Sequence, residues 1–299
     1  MSESDRYRPV HPAESTVVRL RGLDHRVLRW GRADGRPVLL LHGWMDCAAS
    51  FQFMVDAAPA ALRDCALIAP DWRGFGDSGW AADSYYFPDY LADLDALLDR
   101  LVPDGPVALV GHSMGGIVAG LYAGIRPERV GHYVSLEGFG LPAAQPAQAP
   151  ERYRRWLDQL RAGASERSFA DPAALIAKLR ANDPRLPADK AAWLAGELAH
   201  VEAGGARLRG DPRHKWVNPV LYRLEEAMAC WRRVSARTLW LAGDEARLLK
   251  WLGESAEQFA LRRACFADLD YAVVACSGHN LHHDAPAEVA RRVVDFLAD

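Results

Sequence analysis

The chain has 299 residues and a formal net charge of −3, from 36 basic and 39 acidic side chains. Half the residues are hydrophobic and a quarter are charged, which is ordinary for a soluble globular protein and ample for a sizeable core. Disorder is excluded as the main state, and with no basic stripe and no run of five like charges a nucleic-acid partner is not expected.

The stretch Met1–Arg8 lacks the apolar segment of a secretory signal. No apolar run approaches the ~18–20 residues of a membrane span, so a cytoplasmic protein without a membrane partner is expected. Five cysteines (Cys47, Cys65, Cys230, Cys265 and Cys276) are widely spaced without a CxxC pair. Buried free thiols are therefore expected in place of a disulfide framework or zinc site.

In chain order, Thr16–Arg21 and His25–Trp30 are predicted as a strand pair joined by a turn at Gly22. Pro37–Leu41 and Cys65–Ala69 are short continuous apolar runs, the pattern of strands buried on both faces. Asp89–Leu101 carries leucines at helical spacing. Pro106–Val110 follows as a buried strand, then Ile117–Ile125 as a helix and Val130–Leu136 as a strand. This alternation predicts an α/β fold with a mostly parallel, doubly wound sheet.

The rhythm breaks over residues 139–235, where no convincing strand occurs. Helices are predicted at Arg152–Ala162, Pro172–Ala181, Lys190–Glu202 and Val220–Trp231, with Asp171 capping the second and Gly204-Gly205 punctuating the stretch. Strand and helix signals resume at Thr238–Ala242, Tyr271–Cys276 and Ala287–Leu297. The organisation expected is a core of residues 1–138 and 236–299 with a helical cap, 139–235, inserted over the carboxyl edge of the strands, where open α/β sheets bind ligands.

Gly111-His112-Ser113-Met114-Gly115 follows a buried strand directly and opens a helix. G-x-S-x-G in that setting is a nucleophile elbow: a sharp turn lifts the serine hydroxyl from the sheet, and small glycines let strand and helix approach. Ser113 is the predicted nucleophile, with the Met114 N–H aimed at the developing oxyanion. Leu41-His42-Gly43-Trp44 ends an earlier buried strand, where the second oxyanion donor is required, and the Trp44 backbone N–H is the candidate. His42 is expected to stiffen this loop.

These motifs, with Asp71-Trp-Arg-Gly-Phe-Gly-Asp-Ser78 and Gly278-His279-Asn-Leu-His-His-Asp-Ala-Pro286, make the chain resemble the α/β-hydrolase family outside residues 139–235. Within it, the segments HGWMDCAASF, DWRGFGDS and YYFPDY look most like the serum-hydrolase-like branch of capped serine hydrolases. The resemblance places the catalytic histidine at His279 and implies that residues 71–79 form a structural turn. The G-x-G-x-x-G within that turn lacks the adjoining strand end and helix of a dinucleotide site. Haloalkane dehalogenases and epoxide hydrolases of this fold carry aspartate at the elbow, so serine points to an acyl-enzyme. No cofactor and no metal are expected. His279, His282, His283 and Asp284 cluster in sequence, but no second segment offers matching ligands.

The acid must lie between Ser113 and His279. Its usual station, three residues past Gly243, holds Ala246. Glu137 at the preceding strand tip, followed by Gly138, is the preferred candidate, and Asp244 is the alternative. The expected activity is hydrolysis of a carboxylic ester of a small to medium, partly apolar molecule. The rivals are thioesterase, C–C bond hydrolase or perhydrolase chemistry on the same residues, and a ligand-binding pseudo-hydrolase. Tyr153, Trp156, Phe169, Trp193, Trp216, Tyr222 and Trp231 are the aromatic residues available to the cap core or a pocket.

Overall fold

A computed structural model describes residues 7–165, 168–202 and 205–298; Gly204 and most of the Met1–Arg8 stretch lie outside them. The chain opens with β1 (Glu14–Leu20) and β2 (Leu23–Gly31). Arg21 and Gly22 between them have φ of 45° and 85°. Positive φ at both central positions gives a two-residue hairpin whose twist matches that of its strands. Next come β3 (Pro37–Leu41), α1 (Gln52–Asp56), α2 (Ala60–Arg63), β4 (Ala66–Pro70) and α3 (Pro88–Leu101). They are followed by β5 (Val107–His112), α4 (Met114–Ile125) and β6 (Val130–Leu136).

The segment after β6 contains α5 (Ala149–Ala162), β7 (Ser168–Phe169), α6 (Pro172–Asn182), α7 (Ala188–Leu198), β8 (Ala199–Glu202), β9 (Gly205–Leu208) and α8 (Leu224–Trp231). The chain closes with β10 (Arg237–Gly243), α9 (Leu248–Leu252), α10 (Ala256–Arg263), β11 (Leu269–Val274), α11 (Leu281–Asp284) and α12 (Pro286–Ala298).

The main sheet has the order β1-β2-β4-β3-β5-β6-β10-β11. From β4 to β11 every neighbouring pair is parallel, and the β1–β2 hairpin joins antiparallel at the β4 edge. Successive side chains of a strand face opposite sides. Thus Leu39 and Leu41 enter a core with Leu94, Leu97 and Leu98 of α3 and Val118 of α4. Val38 and Leu40 enter a second core with Val289, Val293 and Phe296 of α12. Each such side chain contributes about 1.5–3 kcal/mol on burial. The doubly wound sheet predicted from sequence is present.

The segment between β6 and β10 differs from the all-helical expectation. It contains a three-stranded antiparallel sheet, β7-β9-β8. Helix α7 stops at Leu198, and residues 199–202, expected to continue it, pair with Gly205–Leu208. Strands of two to four residues are too short to display a two-residue period against an alanine-rich background. Gly205 supplies the φ of 129° that the start of β9 requires. Helix α8 also begins four residues later than expected, at Leu224. The Asp171 cap is present: its carboxylate accepts the Ala174 N–H at 2.7 Å, with Pro172 at the first helical position.

All five cysteines are free thiols; Cys47 and Cys265 are buried, but Cys276 is exposed. Among the described residues, no helix is long and apolar enough to cross a membrane.

Candidate active site

The carboxyl ends of β3, β5, β6, β10 and β11 lead to Trp44, Ser113, Glu137, Ala246 and His279, and all five line one cavity of about 610 Å³. Trp156 of α5 and residues 213, 214 and 216–219, from the segment between β6 and β10, also line it.

Ser113 sits between β5 and α4 with φ 49° and ψ −116°, a conformation that costs about 1–3 kcal/mol in a non-glycine residue. The surroundings hold it there. A Cβ on Gly115 would lie 2.0 Å from the Leu41 carbonyl oxygen, and one on Gly111 would lie 2.5 Å from the Gly115 backbone. Only glycine permits this approach of strand and helix. The turn presents the hydroxyl to His279, whose Nε2 accepts a hydrogen bond from Ser113 Oγ at 3.0 Å.

Glu137 lies just past the tip of β6. Its own φ is 57°, so the left-handed turn falls on the acid itself and not on Gly138. A Cβ on Gly138 would meet the Ser113 carbonyl oxygen at 2.6 Å; that glycine serves close approach. Glu137 is 6 % exposed. Its Oε1 accepts the Gly243 N–H at 2.8 Å, and its Oε2 lies 3.5 Å from His279 Nδ1. Ser113, His279 and Glu137 thus form a continuous chain of polar contacts.

Asp244 is occupied differently. Its carboxylate accepts the Cys276 and Ser277 N–H groups, each at 3.0 Å, and these bonds hold its pKa below the ordinary value. Glu245 pairs with Arg185. Asp244 thus anchors the loop after β11, which carries His279, while Glu245 ties the loop after β10 to the segment between α6 and α7.

A family model described as alpha/beta hydrolase fold matches residues 36–286. The chain belongs to the α/β-hydrolase family. A serine hydrolase-like protein of Danio rerio is 26 % identical over 283 residues, covering 90 % of this chain and 83 % of that one. A probable serine hydrolase of Drosophila melanogaster is 24 % identical over 281 residues, with the same shares covered. The solved thioesterase domain from the curacin biosynthetic pathway superposes with a TM-score of 0.83 at 26 % identity, over 95 % of this chain and 99 % of that one.

In this α/β-hydrolase the loop after β3 is held by His42. Its Nδ1 donates to the Gly43 carbonyl at 2.8 Å, and its Nε2 accepts the Trp72 N–H at 2.9 Å. Burial lowers its pKa to about 4; it is a neutral strut. The Trp44 and Met114 N–H groups make no backbone hydrogen bond among the described residues. Met114 is the first residue of α4, where the helix dipole favours negative charge. The turn at 71–79 is built on Asp71, whose carboxylate accepts the Ala48 and Asp77 N–H groups and the Arg26 guanidinium.

Of the aromatic residues noted in sequence, Trp156 and Trp216 line the cavity. Trp231 is buried core and Trp193 packs edge-on against Phe53. Tyr85, Tyr90 and Trp251 also line the cavity and were not anticipated. Tyr85 and Tyr90 are the first and last residues of the YYFPDY segment, a family motif that marked them without revealing their direction.

Proposed function

We propose that this α/β-hydrolase cleaves a neutral carboxylic ester with an aromatic or aliphatic acyl group through an acyl-enzyme on Ser113. The observation that carries the reading is the hydroxyl–imidazole–carboxylate relay of Ser113, His279 and Glu137 opening into an apolar cavity. His279 Nε2 takes the serine proton as Oγ attacks the carbonyl, and later returns it to the leaving alcohol. Glu137 keeps the Nδ1–H tautomer and stabilises the imidazolium. The Trp44 and Met114 N–H groups receive the oxyanion, and residues 139–235 act as the cap that excludes water.

Charge in the cavity argues for an uncharged substrate. Arg213 is the cationic lining residue, but its guanidinium is held by Asp211 and by the carbonyls of residues 81–83. The rest of the wall is mainly Trp, Tyr, Phe, Leu, Ile and Val, suited to an apolar group. Likeness to the curacin thioesterase domain supports a second reading, in which the acyl group arrives as a thioester on the same serine.

A fluorophosphonate probe is the direct test. Labelling of Ser113 in the wild type and its loss in Ser113→Ala supports a reactive serine; an unlabelled wild type is the result expected of a pseudo-hydrolase. Parallel turnover of p-nitrophenyl esters and acyl thioesters separates the two acyl readings.

A further inference from the structure

Asp46, His112 and His282 come together from three separate stretches of chain. One carboxylate oxygen and one nitrogen from each imidazole all lie within 4.8 Å of one another. His282 is fully buried and His112 is 3 % exposed, and their ring centroids are 4.3 Å apart. Among the described residues, neither nitrogen of His282 meets a hydrogen-bond partner, nor does Nδ1 of His112. A buried polar group left unpaired is costly, a cost that a phenyl ring at position 282 would not incur.

The neighbouring candidates from the sequence are engaged elsewhere: His283 Nε2 bonds the Ser50 carbonyl, and an Asp284 oxygen accepts the Gly278 N–H. The second ligand-bearing segment that the sequence did not reveal is supplied by the loop after β3 and the end of β5. We propose that Asp46, His112 and His282 form a transition-metal site of the Zn²⁺ class, and that its occupation inhibits the hydrolase. Two histidines and one carboxylate, with water in a fourth position, suit Zn²⁺ or Co²⁺.

Inhibition follows from where the ligands sit. Asp46 lies two residues beyond Trp44, His112 immediately precedes Ser113, and His282 lies three residues beyond His279. Nitrogen and oxygen ligands on a tetrahedral ion with ~2.0–2.1 Å bonds stand roughly 3.3–3.4 Å apart. Ligand atoms that stand up to 4.8 Å apart would close inward around such an ion, drawing with them the segments that carry them. The bond from His112 Nε2 to the His279 carbonyl, 2.9 Å long, lies on that path. A misplacement of about 1 Å can cost ~10²-fold in rate.

The inhibitory half of the proposal rests on the serine-hydrolase reading; the binding half does not. Co²⁺ added to the wild type and to Ser113→Ala is expected to give the strong visible bands of tetrahedral cobalt at one ion per chain, displaced by Zn²⁺. Zn²⁺ should also suppress ester turnover reversibly, with full recovery in EDTA. His282→Phe and Asp46→Asn should retain metal-free turnover, lose the cobalt bands and need at least about tenfold more Zn²⁺ for half-inhibition. Asp46→Asn keeps an acceptor for the Cys47 N–H that Asp46 Oδ1 now binds, so it remains informative if His282→Phe does not fold. No cobalt bands in the wild type, or bands that persist in both variants, overturn the site. Bands without inhibition overturn the inhibitory role. Absent ester turnover in metal-free wild type counts against the serine-hydrolase reading instead, and the cobalt bands still decide the site.

Discussion

Glu137 Oε2 stands 3.5 Å from His279 Nδ1, while Oε1 of the same carboxylate accepts the Gly243 N–H at 2.8 Å. One oxygen is held by the backbone at the end of β10, which aims the other at the imidazole. Removing the charge should therefore leave the fold and remove the orientation of the base. Glu137→Gln is expected to lower kcat by ~10³–10⁴ with little change in KM, the scale seen when the acid of a serine-protease triad is made an amide. Asp244→Asn should cost less than about tenfold, because that carboxylate faces the Cys276 and Ser277 amides. Side-by-side kcat measurements check this; a crippled Asp244→Asn with a near-normal Glu137→Gln reverses the assignment.

Substitutions at Ser113 separate chemistry from strain. Ser113→Ala is expected to lower kcat by up to ~10⁶ at an almost unchanged melting temperature. Ser113→Gly should be equally inactive but melt ~2–4 °C higher than Ser113→Ala, since glycine accepts φ 49° without strain. Thermal melts of both variants test the elbow independently of activity. Equal melting temperatures would mean that the turn stores no appreciable strain.

Asp183, beyond the end of α6, faces Asp284 of α11. Burial, then the Asp284 charge, pushes the Asp183 carboxyl up to about 6. Arg185 approaches the pair, with Nη1 3.9 Å from Asp284 Oδ2, but it is shared with Glu245. A carboxyl whose pKa is higher folded than unfolded binds its proton more tightly in the native state. Its contribution is thus fully present below pH ~4 and is lost as pH rises through about 6. Asp183→Asn should equal the wild type in stability near pH 4.5 and exceed it above pH 7. Denaturation at both pH values checks this, and a stability difference that does not vary with pH contradicts it.

The cavity wall offers a test of substrate class. Trp156→Ala removes a cavity-lining indole while leaving Ser113, His279 and Glu137 in place. For an aromatic or long-chain ester, KM is expected to rise about tenfold with kcat nearly constant, the pattern of lost uniform binding. For an acetyl ester the change should be smaller. Equal effects on both esters would place the acyl group away from the cap.

The local patterns of this sequence were enough to mark the sheet, its hairpin start and the elbow serine, and the family resemblance marked the histidine loop. The buried strand Pro37–Leu41 matches its predicted bounds because burial on both faces demands an unbroken apolar run. The elbow is legible because backbone contact between strand and helix admits glycine alone at positions 111 and 115. Alanine at position 246, where the acid usually stands, likewise makes Glu137 legible as a candidate in the sequence.

Tertiary structure decided the rest, because those features join residues far apart in the chain. Glu137 and Asp244 differ in what each carboxylate meets, the His279 imidazole for one and the Cys276 and Ser277 amides for the other, a matter of loop path and not of residue type. Pairing of residues 199–202 with 205–208 overrode a helical expectation, since strands this short are held by hydrogen bonds and not by a periodic apolar face. Which aromatics face the cavity, and the convergence of Asp46, His112 and His282, depend on how β3, β5 and the loop after β11 end side by side. Adjacent positions in a parallel sheet are separated by whole crossover helices in sequence, so no local pattern records who meets at its carboxyl edge.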